Sequence, residues 1–186
     1  MQCGSWVKDN SAIGGILRRI VKGNATLNIN ARSPRYVANG SGWIDPFAGE
    51  NSPAEITNDL NPTKPTKYHL HAKEFVTQLT EQYKGVLFDQ PYSLRQVKEC
   101  YDSLGVKLFQ DDSQRFPQNV KELIAPKIEP GGYAITFGWN SQGFGKNLGF
   151  EIIEILLVPH GRSHNDTIVT VEEKVIKKEN GNLWEA

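Results

Sequence analysis

The stretch Gly85–Ser93, GVLFDQPYS, decides the fold. Gly85 to Phe88 is a short apolar run, the pattern of a strand buried on both faces in a parallel sheet. It then ends on a carboxylate, an amide, a proline and an aromatic ring. Open α/β sheets bind ligands beyond the carboxyl ends of their strands. Asp89, Gln90, Pro91 and Tyr92 are therefore candidates for chemistry as well as for a polar turn.

Working outward, Ser93 is placed to cap a helix over LRQVKECYDSL that stops at Gly105. FPQNVKELIAPKI predicts a helix with Pro117 near its first position and an end before Pro126. GGYAITFGW, FEIIEILLVPH and DTIVTVEEKVIKK predict strands, the last two joined through PHGRSHN as an antiparallel hairpin at the sheet edge. Upstream, GWID predicts a strand ending at Asp45 and AEITNDLNP one ending near Asp59. YHLHA predicts a third, followed by a helix through KEFVTQLTEQY. Strands interleaved with helices imply an α/β fold with a mostly parallel central sheet. Residues 43–178 make one domain. Residues 1–42 are set apart as an N-terminal segment, with a helical spacing in SAIGGILRRIVKG, and 179–186 read as a tail.

Composition narrows the class. At 186 residues, 38% apolar and 23% charged, the chain is long and apolar enough to bury a core. Lysine plus arginine equals aspartate plus glutamate at 21 each, so nucleic-acid binding would need a local basic face. Two cysteines, Cys3 and Cys100, are too few for a disulfide framework or a four-ligand zinc site, which implies a reducing, cytoplasmic setting. No apolar run reaches the length of a membrane span.

Two further strand ends carry signals. DPFAGENS, Asp45–Ser52, is a small-residue turn that lets a ligand approach the backbone. Asp59 is an acid at the next strand end, suited to ribose hydroxyls. The two lie so close in sequence that a full helical crossover, roughly ten to twelve residues or more, does not fit between them. The first helix must be very short or replaced by a loop. His160 and His164 in HGRSHND lie outside any predicted helix and lack a third ligand, so a polar hairpin loop, with Arg162, His164 or Asn165 touching substrate, is preferred to a metal site.

The chemistry suited to Asp-Gln-Pro-Tyr is the activation of an exocyclic amine. That nitrogen is a poor nucleophile because its lone pair is delocalised into the ring. Accepting hydrogen bonds from both N–H groups turns the lone pair towards an electrophile. The Asp89 carboxylate is one acceptor and the Gln90 main-chain carbonyl the other, aimed by Pro91. Tyr92 can stack on a flipped base.

These residues together resemble the amino-group DNA methyltransferases that use S-adenosylmethionine, specifically small adenine-specific ones of phages and mobile elements. IDPFAGENS is similar to their cofactor motif, NDLNP to their acidic ribose motif and GVLFDQPYS to their catalytic Asp-Pro-Pro-Tyr motif. SLRQVKECY, GGYAITFGWNS and FEIIEILLVPHGRSHNDTI resemble further segments, so the likeness covers about residues 43 to 176. It implies a Rossmann-like methyltransferase fold, with an antiparallel edge strand and helices on both faces. It implies a cofactor site of Asp45, Pro46, Phe47, Ala48, Gly49, Asn51, Asp59, Asn61, His71 and Ala72. Asp89, Gln90, Pro91 and Tyr92 would be catalytic, and Ser93, Arg95, Trp139, Asn140, Arg162, His164 and Asn165 would meet substrate. The implied activity is methylation of adenine N6 in DNA without a metal, with cytosine N4 a close variant, as in restriction-modification. No segment is left over for target recognition, which implies loose specificity or a homodimer sharing DNA contacts.

The chain departs from that pattern at Gln90 for the first proline, at Asn51 for a glycine, and at His71 where an aspartate commonly contacts the cofactor's adenine. These departures motivate the alternative, a weak or inactive methyltransferase-like protein that binds DNA or a protein partner. Position 90 contributes mainly through its backbone, since a carbonyl does not depend on its side chain, and losing proline's rigidity costs about 0.4–1 kcal/mol. Gln90→Pro would then speed the reaction roughly two- to fivefold.

Overall fold

The computed structural model describes residues 40–91, 93–105, 110–158 and 165–175. The expected helical segment near the N-terminus, Tyr92, Arg162, His164 and the tail lie outside these residues. The element order is β1 (Trp43–Asp45), β2 (Ile56–Thr57), α1 (Ala72–Gln78), β3 (Tyr83–Phe88), α2 (Leu94–Ser103), α3 (Gln110–Ile124), β4 (Ile128–Gly138), β5 (Phe150–Val158) and β6 (Thr167–Lys174). Short 3-10 turns, Ala125–Lys127 and Lys146–Leu148, precede β4 and β5.

Six strands form one sheet in the order β2-β1-β3-β4-β6-β5. β1, β2, β3 and β4 are mutually parallel. β6 runs antiparallel to both β4 and β5. This is the expected Rossmann-like α/β arrangement. The closing hairpin lies at the edge as expected, and the order within it moves the reversed strand one place inward, leaving β5 outermost.

Alternation along the strands divides the core. One face carries Ile44, Val86, Phe88 and Ala134, and the three described helices bring Phe75, Val76, Tyr101, Phe116, Val120 and Ile124 onto it. The opposite face gathers Trp43, Leu87, Ile135, Phe137, Val169 and Val171, all at most 1% exposed. Helices were expected on both faces, but among the described residues none packs on this second one, because the crossover from β1 to β2, whose Ala54 lies against it, is a loop.

Gly85 is required by this second cluster. It pairs in register with Trp43, and a Cβ built on it would sit 2.7 Å from the indole ring. We expect Gly85→Ala to lower the urea midpoint by an amount equivalent to about 1–3 kcal/mol, the ordinary cost of overpacking. An unchanged midpoint would show that Trp43 moves aside freely.

Three predicted elements differ in detail. YHLHA contributes a single parallel bridge, Asn58 to Tyr68, instead of a strand. Tyr68 and His69 are exposed there, so nothing rewards extending the ladder. The following helix ends at Gln78, because Leu79 turns extended and buries its side chain. Pro117 lies inside α3 and not at its start. An interior proline costs about 3 kcal/mol. The helix continues upstream regardless, and this seats Phe116 against Phe47, His71 and Tyr101.

Candidate active site

Because β1, β2, β3 and β4 are parallel, Asp45, Asp59, Asp89 and the Trp139–Asn140 pair all emerge at the same carboxyl edge. β1 ends at Asp45, and the chain reaches β2 through a loop with no helix, as the spacing between the two acids predicts.

Asp45 is fully buried. One of its carboxylate oxygens accepts from the Phe47 N–H at 3.0 Å and the other from the Ser52 hydroxyl at 2.6 Å. Its position gives it the task of folding the loop around itself. Pro46, Ala48 and Gly49 are buried along that loop, Phe47 is half-buried and Asn51 is exposed. Gly49 has φ 61°, a left-handed conformation that favours glycine.

Asp59 ties the loop to the end of β2. One carboxylate oxygen accepts from the Gly49 N–H at 3.0 Å, the other from the Asn61 N–H at 2.8 Å. Each oxygen keeps a lone pair for a further donor. Burial pushes the Asp59 carboxyl above its ordinary value, and the two amides and Lys64 pull it back only partly. A carboxylate desolvated in this way is a strong acceptor for a diol. A ligand held through Asp59 should therefore bind more weakly as pH falls through this raised value, because the protonated acid accepts poorly. Titration calorimetry with S-adenosylhomocysteine from pH 7.5 downward reads this. Constant affinity down to the ordinary aspartate range would remove Asp59 from the site.

Asn58 was not singled out by sequence reasoning. It is 1% exposed, and its amide donates to the carbonyls of Pro46 and Leu70 and accepts from the Leu70 N–H. It thereby joins the first loop to the segment leading into α1. An asparagine directly before a strand-end acid was the available signal. Lys64 adds a second tie, an ion pair to Glu50 at 2.7 Å.

His71 caps α1, its Nδ1 accepting weakly from the Lys73 N–H at 3.4 Å. Its ring meets the edges of Tyr101 and Phe116 at 5.7 and 5.2 Å. Ala72 begins the helix and is buried. Around it runs a chain of aromatic contacts in which Phe47 touches Phe88 at 5.3 Å and Phe116 at 6.2 Å. Phe88 directly precedes Asp89, so the loop after β1 and the end of β3 are packed as one unit.

Asp89 is 2% exposed at the end of β3, the strand between β1 and β4. Gln90 and Pro91 follow, half-buried. Ser93 accepts from the Gln96 N–H at 3.2 Å, the expected N-cap of α2. The cap gives Ser93 a structural role at the start of α2. Arg95 is paired with Glu99 on the outer surface of α2. Trp139 is 43% exposed beyond β4, and Asn140 accepts from the Gln142 N–H. Asn165 is exposed just before β6, at the same end of the sheet. The structure thus brings together Asp45 to Gly49, Asp59, Asn61, His71 and Asp89 to Pro91, with Trp139 and Asn140 on the far side. Among the described residues no cluster of three or more His, Cys, Asp or Glu side chains could hold a metal, and no helix is long and apolar enough to cross a membrane.

No family model matches the chain, and no curated protein gives a significant match. Solved structures with a similar arrangement include TrmN from Thermus thermophilus, with TM-score 0.47 and 14% identity over 72% of this chain and 43% of that one. The chain therefore spans less than half the length of that protein. Others are the 1,6-didemethyltoxoflavin-N1-methyltransferase of Burkholderia thailandensis, with TM-score 0.44 and 12% identity over 72% and 71%, and the N-methyltransferase NodS of Bradyrhizobium japonicum, with 0.44 and 7% over 72% and 85%. All three scores fall below 0.5, so the fold rests on the strand order described above.

Proposed function

We propose that this chain is an S-adenosylmethionine-dependent methyltransferase acting on an exocyclic amine of a DNA base, adenine N6 first and cytosine N4 next. The carrying observation is the placement of buried Asp89 at the end of β3, beside the loop–Asp59 unit at the ends of β1 and β2.

The loop itself speaks for the kind of cofactor. A helix N-terminus is a ready seat for phosphate. Here the turn after β1 leads into no helix, so a phosphate-bearing dinucleotide loses its usual seat. A ligand made of a ribose, a purine and a sulfonium loses nothing. Asp59 would accept from the ribose hydroxyls. Phe47 and the buried Ala48–Gly49 backbone would line the sulfonium side, with His71 and Ala72 towards the purine. The cofactor supplies an electrophilic methyl group and a sulfur leaving group that needs no metal.

The chain supplies the nucleophile's geometry. Asp89 accepts one amine N–H, and Gln90, through a carbonyl oxygen, accepts the other. The nitrogen lone pair forms the new N–C bond as the C–S bond breaks and its electron pair stays on sulfur. The proton then lost from nitrogen passes to Asp89 or to water. Pro91 holds Gln90 extended, and the aromatic packing from Phe88 to Phe47 fixes the distance between amine and methyl donor.

Incubation with unmethylated genomic DNA and labelled cofactor, followed by mass spectrometry of the nucleosides, tests this. N6-methyladenine is the expected product. N4-methylcytosine would move the substrate to the second base. Cofactor binding by calorimetry without any methylated nucleoside would overturn catalysis in favour of a binding protein.

A further inference from the structure

The Gln90 side chain holds a buried oxygen that the fold does not explain. Its Oε1 is shielded from solvent and has no hydrogen-bond partner among the described residues. Leaving such an acceptor unsatisfied costs about as much as a lost hydrogen bond or more. Trp43, Thr136 and Thr170 also hold buried polar atoms of this kind, but they lie within β1, β4 and β6. Gln90 lies beyond a strand, directly after Asp89, where a ligand amine would arrive. A proline at this position would carry no such oxygen and no such cost.

We infer that the Gln90 side-chain amide reads the base, an inference that rests on the methyltransferase reading above. Flipped bases are recognised along their Watson–Crick edge. On that edge adenine and cytosine share one pattern, an amine N–H beside a ring nitrogen that accepts. A primary amide complements the pattern with two parallel bonds, as glutamine and asparagine do with adenine elsewhere. Gln90 Oε1 accepts the amine hydrogen on the ring-nitrogen side, and Nε2 donates to N1 of adenine or N3 of cytosine. Asp89 accepts the other amine hydrogen. The side-chain oxygen thus takes the place of the main-chain carbonyl. The same amide then favours bases with an exocyclic amine beside an accepting ring nitrogen, because guanine and thymine place an N–H at that ring position.

The sign of one substitution separates this from a backbone-only role. If only the backbone matters, Gln90→Pro speeds transfer two- to fivefold. If the side chain reads the base, Gln90→Pro and Gln90→Ala both lower kcat/KM by roughly 5- to 100-fold, the range for a good bidentate base contact. The unliganded Gln90→Pro protein should also melt at a higher temperature than wild type, because the orphaned acceptor is gone.

The full chain and both variants are assayed on an oligonucleotide with one adenine, and on the same oligonucleotide carrying 1-deazaadenine, which keeps the amine and loses N1. The wild type should discriminate against 1-deazaadenine, and Gln90→Ala should not. Equal discrimination by wild type and Gln90→Ala, or faster transfer by Gln90→Pro, would overturn the inference while leaving the methyltransferase reading intact. A wild type that methylates neither oligonucleotide nor genomic DNA would overturn both.

Discussion

Asp89→Ala should reduce methyl transfer by about 10²–10⁴-fold, the span expected for a positioned group that accepts a proton or hydrogen bond in the transition state. Cofactor affinity should stay within a few-fold, because the residues proposed to hold the cofactor, Asp59 and the Gly49 loop, lie at the ends of β1 and β2. The split follows from the sheet. Asp89 lies at the end of β3 with 2% exposure, and Phe88 before it is packed on Phe47 and Phe144. Asp89 belongs to neither hydrophobic cluster, so truncation there removes a carboxylate and no apolar core side chain. Single-turnover transfer and calorimetry with S-adenosylhomocysteine, run on one preparation, read the two effects separately. If affinity fell as steeply as rate, Asp89 would belong to the cofactor site and the assignment of the amine to β3 would fail.

The second large effect is on folding. Glu172 of β6 is fully buried, and its two carboxylate oxygens accept from the Phe144 and Gly145 N–H groups at 2.6 and 2.7 Å. Lys121 of α3, 8% exposed, donates to the neighbouring Gly143 carbonyl at 2.5 Å and stands 5.4 Å from the Phe88 ring centre. Burial pushes Glu172 up and Lys121 down, each opposed by the charge of the other. A Cβ on Gly143, which has φ 53°, would collide with the Glu172 carboxylate. The turn after β4 is therefore folded around this carboxylate, and Phe144 is driven against Phe88. Glu172→Ala leaves two amides without their acceptor and a buried cation without its counter-charge. Each orphaned buried amide costs about 1–3 kcal/mol, and the two together are a large part of the roughly 5–15 kcal/mol that holds a domain together. Urea unfolding measures it. Adding Lys121→Met should recover part of the loss. A single-variant loss under about 1 kcal/mol would mean that water replaces the carboxylate.

The sequence made the central strands and the site's order legible, because both rest on local signals. GVLFD is apolar and ends on an acid, and Ser93 caps its helix at the expected place. The short spacing between Asp45 and Asp59 announced the loop crossover. Residues whose role depends on a distant partner were not legible. Nothing in VEEK marks Glu172 as buried, since its partners are 27 and 28 residues away. Pro117 read as a helix start, because the contact of Phe116 with Phe47 and His71 that carries the helix through it is tertiary. Asp45 read as a group facing the ligand, and only the fold shows that its oxygens are turned inward to Phe47 and Ser52.

The sheet order also sets a sequence of events in time. β3 has strands on both sides and nearly every side chain buried, whereas β2 is two residues long, half-exposed, and bordered outside, among the described residues, by the single bridge to Tyr68. Marginal elements open and reclose far more often than central ones. Amide hydrogens around Asp59 should therefore exchange with deuterated solvent well before those of Val86 to Phe88. The two halves of the cleft keep different clocks. On the proposed function, the side assigned to the cofactor would breathe and let spent cofactor leave, while the side that presents Asp89 would stay set between turnovers.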